Sequence, residues 1–249
     1  MQMQPTTPPK IASREEWLAA RTALLAREKE ATRLRDAIRA ARLDLPWVRI
    51  DKTYRFETPQ GPRTLSELFD GRSQLVVYHF MFGPEWEAGC EGCSFMADHL
   101  DGTLPHLNHH DVTLLCVSRA PLARIEAYRK RMGWRFPWVS SNESDFNYDF
   151  GVSFTPEQLS QETVFYNFSA IPAEDALDEL PGLSAFAKSA EGEIFHTYST
   201  YARGGEDMLS TLMILDCAPL GRNETTTLDF LRRHDEYETA PAPSPCCAA

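Results

Sequence analysis

No stretch of this 249-residue sequence approaches the ~20 consecutive apolar residues that a membrane-spanning helix needs. Positive charge is also short: 25 Lys and Arg face 36 Asp and Glu, leaving a formal net charge of −11. Such a balance argues against nucleic acid or an anionic membrane as a general partner, because both ask for a basic face. Six cysteines are too few for a disulfide scaffold in a chain this long. Met1 to Lys10 is polar and proline-rich and lacks the 7–15-residue apolar core of a secretory leader, so a cytoplasmic location is expected. No internal repeat is visible, and the ordinary apolar fraction of 43% speaks against wholesale disorder.

What is present is a patterned α/β sequence. Ser13-Arg14-Glu15-Glu16 has the S-x-x-E pattern of a capping box, so a helix is expected to begin there. Trp17, Ala20, Leu24, Ala31, Leu34, Ile38 and Ala41 then recur on one stripe until Pro46. Residues 13–42 carry eight basic and five acidic side chains, a local reversal of the overall charge. The segment 13–45 therefore reads as an amphipathic helix packing on an acidic main domain, with a homodimer contact through the same stripe as the alternative.

Within 46–235, Trp47–Ile50 and Tyr54–Phe56 suggest an extended pair, and Thr64–Phe69 a short helical turn. Leu75–Phe82 is a dense apolar run bounded by Gly71 and Gly83-Pro84, the pattern of a central strand buried on both faces. Helix over Glu91–Leu104, strand over Val112–Val117, helix over Pro121–Met132 and strand over Phe136–Val139 follow, the alternation of parallel βαβ units. Residues 152–178 lack clear periodicity and read as an insertion. Leu183–Lys188 and Ile194–Tyr198, joined by Glu191-Gly192-Glu193, read as a C-terminal β-hairpin. Residues 206–216 and 228–233 look helical, and 238–249 reads as a flexible, proline-spaced tail.

The chemistry-bearing motif is Cys90-Glu91-Gly92-Cys93, placed between a buried strand and the mouth of a helix. Three residues apart on a first helical turn, the two sulfurs share a face, and exposed amides there favour a thiolate at the first cysteine. Cys90 is the expected nucleophile and Cys93 the resolving thiol of a thiol–disulfide exchange. A peroxide substrate would instead drive Cys90 through a sulfenic acid. Two other readings stay open: a structural pair, or half of a copper or zinc site completed by histidine or by the tail thiols Cys246 and Cys247. His99 lies about half a turn away on a regular helix, leaving His79, His109 and His110 to arrive only through folding. No cofactor is implied by the residues themselves. Pro181, before the hairpin, is the candidate for a substrate-facing cis-proline, and Arg203 for holding an anionic group or pairing with surface acids. Cys116 and Cys217 sit in apolar runs and read as buried hydrophobes, and His109-His110-Asp111 as a turn closing before a strand.

Several runs together resemble a known family. They are Arg14–Arg21, Tyr78-His79-Phe80-Met81-Phe82-Gly83-Pro84 leading to Cys90–Ser94, Leu107–Val112, Gly133–Ser141, Asp145–Phe150 and His196–Gly204. The family is the bacterial thioredoxin-like group catalogued as domain of unknown function eight-nine-nine. The resemblance implies a thioredoxin-like fold near the peroxiredoxin branch and a dithiol-disulfide oxidoreductase, without naming a substrate; the expected partner is a disulfide-bearing protein or a small thiol substrate. The chain departs from better understood relatives, with Gly89 before Cys90 where thioredoxins carry tryptophan. Ala88 and Glu91 also stand at the offsets from Pro84 where peroxiredoxins carry threonine and cysteine. Glu91, if near the sulfurs, is expected to raise the energy of a thiolate.

Overall fold

The computed structural model describes residues 10–239. The chain divides after Pro46 into two compact units. The first is built on helix α1, Arg14–Leu43. Its start is a reciprocal capping box: Glu16 N–H donates to Ser13 Oγ at 3.2 Å and Ser13 N–H to Glu16 Oε2 at 2.9 Å. None of its residues is buried. No helix among the described residues is long and apolar enough to cross a membrane.

In the second unit the chain runs through β1 (Val48–Arg49), β2 (Arg55–Phe56), β3 (Arg63–Thr64), α2 (Leu65–Leu68) and β4 (Gln74–His79). It continues through α3 (Glu91–Ala97), α4 (Leu104–His109), β5 (Val112–Ser118), α5 (Leu122–Met132), β6 (Trp138–Ser140) and α6 (Phe146–Asp149). It closes with α7 (Pro156–Leu159), β7 (Thr163–Tyr166), β8 (Ser169–Pro172), β9 (Gly182–Lys188), β10 (Ile194–Tyr201) and α8 (Ser210–Leu215). The main sheet has the order β1-β10-β9-β4-β5-β6. β4, β5 and β6 are parallel, whereas β9 is antiparallel to both β4 and β10. Two parallel strands joined through a helix, flanked by an antiparallel hairpin, with the dithiol after the first of them, make a thioredoxin-like fold.

β4 is central and alternates between two cores, as a strand buried on both faces must. Leu75 and Val77 join Leu115, Val117, Phe146 and Phe186 on one side. Tyr78, continuing to Phe80 and Phe82, joins Cys116, Ile125, Tyr128, Trp138 and Cys93 on the other. The dithiol belongs to this second, aromatic-rich core.

The insertion is a small layer with its own core of Phe154, Val164, Tyr166 and Ala173. α7 starts at a capping box of Thr155 and Gln158, and β7 and β8 form a hairpin. Its two-residue turn, Asn167-Phe168, has φ of 50° and 61°. Both positive angles fit the turn that matches strand twist, although Phe is an unusual occupant.

Several expectations need correction. Trp47–Ile50 and Tyr54–Phe56 do not pair with each other: β1 joins β10 at the sheet edge and β2 joins β3. The helix expected over Glu91–Leu104 stops at Ala97 and resumes as α4, because Asp98 and Asp101 are drawn into tertiary bonds. Asp98 accepts from Trp134 Nε1 at 2.8 Å, and Asp101 from Phe136 N–H at 2.8 Å. The third parallel strand is Trp138–Ser140, since Phe136 N–H is bonded to Asp101. Residues 202–208 form a 3₁₀ helix ahead of α8, and residues 228–233 are not helical. Cys217 is exposed, whereas Cys116 is buried as expected. Residues 240–249, including Cys246 and Cys247, lie outside the described residues.

Candidate redox site

The loop after β4 returns to the sheet through Cys90 N–H, which donates to Met81 O at 3.1 Å. Gly89 is required by this close approach: a Cβ there would lie 2.6 Å from Phe80 Cε1 and 2.9 Å from Tyr128 Cε1. Cys90 is the N-cap of α3 and is partly exposed, while Cys93, one turn on, is buried. The Cys90 sulfur receives hydrogen bonds from the Cys93 thiol and from the backbone N–H groups of Cys93 and Gly92. Cys93 Sγ in turn accepts from Met81 N–H at 3.4 Å and from the hydroxyl of buried Tyr78.

These environments drive the thiols apart. The Cys93 hydrogen bond, helped by the two amides and the positive charge of Arg233, outweighs burial and brings Cys90 down to about 6. Burial, followed by the neighbouring Cys90 sulfur, pushes Cys93 well above the usual thiol range. Tyr78 is pushed up likewise by burial and by the cysteines beside it. A half-exposed thiolate beside a buried protonated thiol can attack and then be resolved.

Arg233 was not foreseen from the sequence. Its guanidinium donates to Gly89 O at 2.8 Å and to Tyr128 Oη at 3.0 Å. Tyr128 Oη lies 2.9 Å from Ser94 Oγ, which donates to Cys90 O at 2.8 Å. The same guanidinium faces Glu91 at 3.4 Å. Glu91, expected to raise the energy of a thiolate if near the sulfurs, shares Arg233 with Glu236 at 3.1 Å, and the Cys90 thiol is lowered.

A cavity of about 240 Å³ opens over the two sulfurs, and Pro181 and Arg203 both line it. Cys90, Cys93, Pro181 and Arg203 are thus brought together. Pro181 departs from expectation in one respect, because no peptide bond among the described residues is cis. Its carbonyl accepts from Tyr166 Oη at 2.6 Å. Arg203, with a side chain 74% exposed, is paired with Glu206 at 2.6 Å, the surface-acid outcome of the two considered.

The histidines are engaged elsewhere. His79 is buried on the opposite face of β4, with Nε2 2.9 Å from Ser184 Oγ. His99 lies 2.7 Å from Phe95 O and 2.8 Å from Thr211 Oγ1. His109 ends α4, and Asp111 follows at φ 59° with its carboxylate accepting from Ser73 N–H at 3.2 Å, a turn before β5. Among the described residues, no three His, Cys, Asp or Glu side chains are grouped to hold a metal. The signal for Arg233 was absent because 228–233 looked like an ordinary helix. Tyr78 could have been found from alternation, since it must face the side opposite Val77.

Comparison with known proteins bears on the family. None of the curated proteins matches the sequence. Peroxidoxin BcpB from Mycobacterium tuberculosis is 13% identical, with 68% of this chain and 97% of that chain covered at a TM-score of 0.42. Peroxiredoxin Q from Xanthomonas campestris is 14% identical, with 69% and 98% covered at a TM-score of 0.43. The model of a family described as bacterial protein of unknown function, DUF899, matches residues 6–237. With both the dithiol and the Arg233 network inside that span, the chain belongs to the bacterial DUF899 family.

Proposed function

We propose that this protein is a thiol–disulfide oxidoreductase with Cys90 as nucleophile and Cys93 as resolving thiol. The observation that carries the reading is the opposite displacement of the two thiols within one accessible cavity, Cys90 down to about 6 and Cys93 well up. In the first step the Cys90 thiolate attacks one sulfur of a substrate disulfide, forming a mixed disulfide and expelling the other sulfur as thiolate. Cys93 then loses its proton and attacks the Cys90 sulfur. The Cys90–Cys93 disulfide forms and the second substrate thiol leaves. Two electrons pass from the dithiol to the substrate. Tyr78 and Met81 N–H, which already face the Cys93 sulfur, stabilise it as it ionises.

Cys93→Ser is the direct test. With resolution blocked, a disulfide substrate should leave a stable adduct on Cys90, visible as an added mass, whereas Cys90→Ser should leave none. Adduct formation at Cys93 in the Cys90→Ser protein at the wild-type rate would overturn the assignment of roles.

A further inference from the structure

The backbone beside the dithiol is already occupied by the chain itself. A disulfide within an extended protein segment can be presented by main-chain pairing, an added strand bonding to alternate residues along one side of the receiving stretch. The stretch that leads to the cavity wall at Pro181 is 178–181. On one side of it, Asp178 O accepts from Phe154 N–H at 3.1 Å and Leu180 N–H donates to Val152 O at 2.8 Å. The bridge between Ser153 and Glu179 completes this pairing with the insertion. On the other side stand Glu179 and Pro181. Pro181 has no N–H, and its carbonyl is taken by Tyr166 Oη at 2.6 Å. The stretch is also fastened through side chains. Buried Glu179 accepts from Ser153 Oγ at 2.7 Å and pairs with Arg119 at 3.3 Å. Neither side retains two alternate residues for an incoming strand.

What remains open is the cavity. Its volume of about 240 Å³ has room for a small molecule. Met81, Met96, Leu183, Met208, Leu209 and Leu228 contribute its apolar wall. Among the described residues that line it, the cationic side chain is Arg203, which is held by Glu206. These features select for small size and apolar substituents, and they offer nothing to a charged tail.

Resting on the thiol–disulfide reading above, we propose that the substrates are small uncharged disulfides with short apolar substituents, taken up in this cavity, rather than disulfides within protein segments. The electron balance is that of the exchange already given: R–S–S–R accepts two electrons and two protons and leaves as two R–SH, while Cys90 and Cys93 become the disulfide. A small dithiol or a dithiol protein must return the electrons, and a single-turnover test does not need it.

The test uses the full chain, pre-reduced and freed of reductant, mixed separately with dipropyl disulfide, bis(2-hydroxyethyl) disulfide and insulin. Acid quenching and alkylation report formation of the Cys90–Cys93 disulfide, and each rate is divided by that of the same oxidant with a free model thiol. The normalised rate for dipropyl disulfide should exceed that for the hydroxyethyl compound by about tenfold, since the cavity wall is mainly apolar and burying a hydroxyl there is costly. Insulin should fall below both. Met208→Asp, at a partly exposed position of the wall, should bring the first ratio toward one. Equal normalised rates, or insulin matching dipropyl disulfide, would keep the dithiol chemistry and overturn the substrate class. A dithiol that stays reduced against all three oxidants would overturn the oxidoreductase reading, and the substrate class with it.

Discussion

Replacing Arg233 by Gln removes a positive charge that helps hold Cys90 as a thiolate and leaves Glu91 without its partner. An opposite charge nearby shifts a pKa by ~1–3 units, and a half-exposed thiol with three hydrogen-bond donors still in place belongs at the low end, ~1 unit. Cys90 would then titrate near 7 rather than about 6. The thiolate is the form present above the pKa, so reactivity is lost as pH falls through it. At pH 6 the ionised fraction should drop from about a half to about a tenth, a roughly fivefold loss in rate, while at pH 8.5 the two proteins should converge. The assay is the rate of iodoacetamide modification of Cys90 between pH 4.5 and 9, followed by peptide mass. Arg233→Lys should recover most of the profile while still losing the fork to Gly89 O and Tyr128 Oη. An Arg233→Gln profile superimposed on wild type, or a loss equal at every pH, would refute the electrostatic role.

Other expectations follow from the same geometry. Gly89→Ala forces a Cβ to 2.6 Å from Phe80 Cε1 and should cost about 1–3 kcal/mol, read as a lower midpoint in urea without a change in slope. Glu179→Ala removes the buried carboxylate that Ser153 and half-buried Arg119 share, a defect of about 1–3 kcal/mol, and should expose the insertion to limited proteolysis before the sheet unfolds. Under native alkylation Cys217 should label readily while Cys93 and Cys116 stay protected until unfolding, as their burial requires. Labelling of Cys116 in the folded protein would contradict its place in the core.

The parts of the fold legible in the sequence are those where one local rule dominates. The apolar run Leu75–Phe82 announced a doubly buried strand, realised as Gln74–His79 with 80–82 continuing beyond it, and the Ser13–Glu16 capping box announced α1. The hairpin of β9 and β10 followed from its turn around Gly192, at φ 89°. Legibility failed where tertiary bonds overrode local preference. Asp98 and Asp101 would have extended a helix had they not been claimed by Trp134 and by the backbone of Phe136. The insertion hid its hairpin because Asn167-Phe168 lacks the glycine that usually marks such a turn. At the site, spacing identified the dithiol, and Pro181 and Arg203, named as candidates, both line the cavity beside it. Arg233, 144 residues later in the chain than Gly89, carries no local sign of its bond to it. Its effect on the thiolate is a product of folding, and so is the pairing of 178–180 with 152–154.

The most direct test of the account is mass spectrometry of the protein equilibrated across glutathione redox buffers, with metal analysis of the same sample and Cys90→Ser as control. The account predicts a reversible Cys90–Cys93 disulfide in metal-free protein and none in the control. A pair that resists oxidation while holding stoichiometric copper or zinc would contradict it.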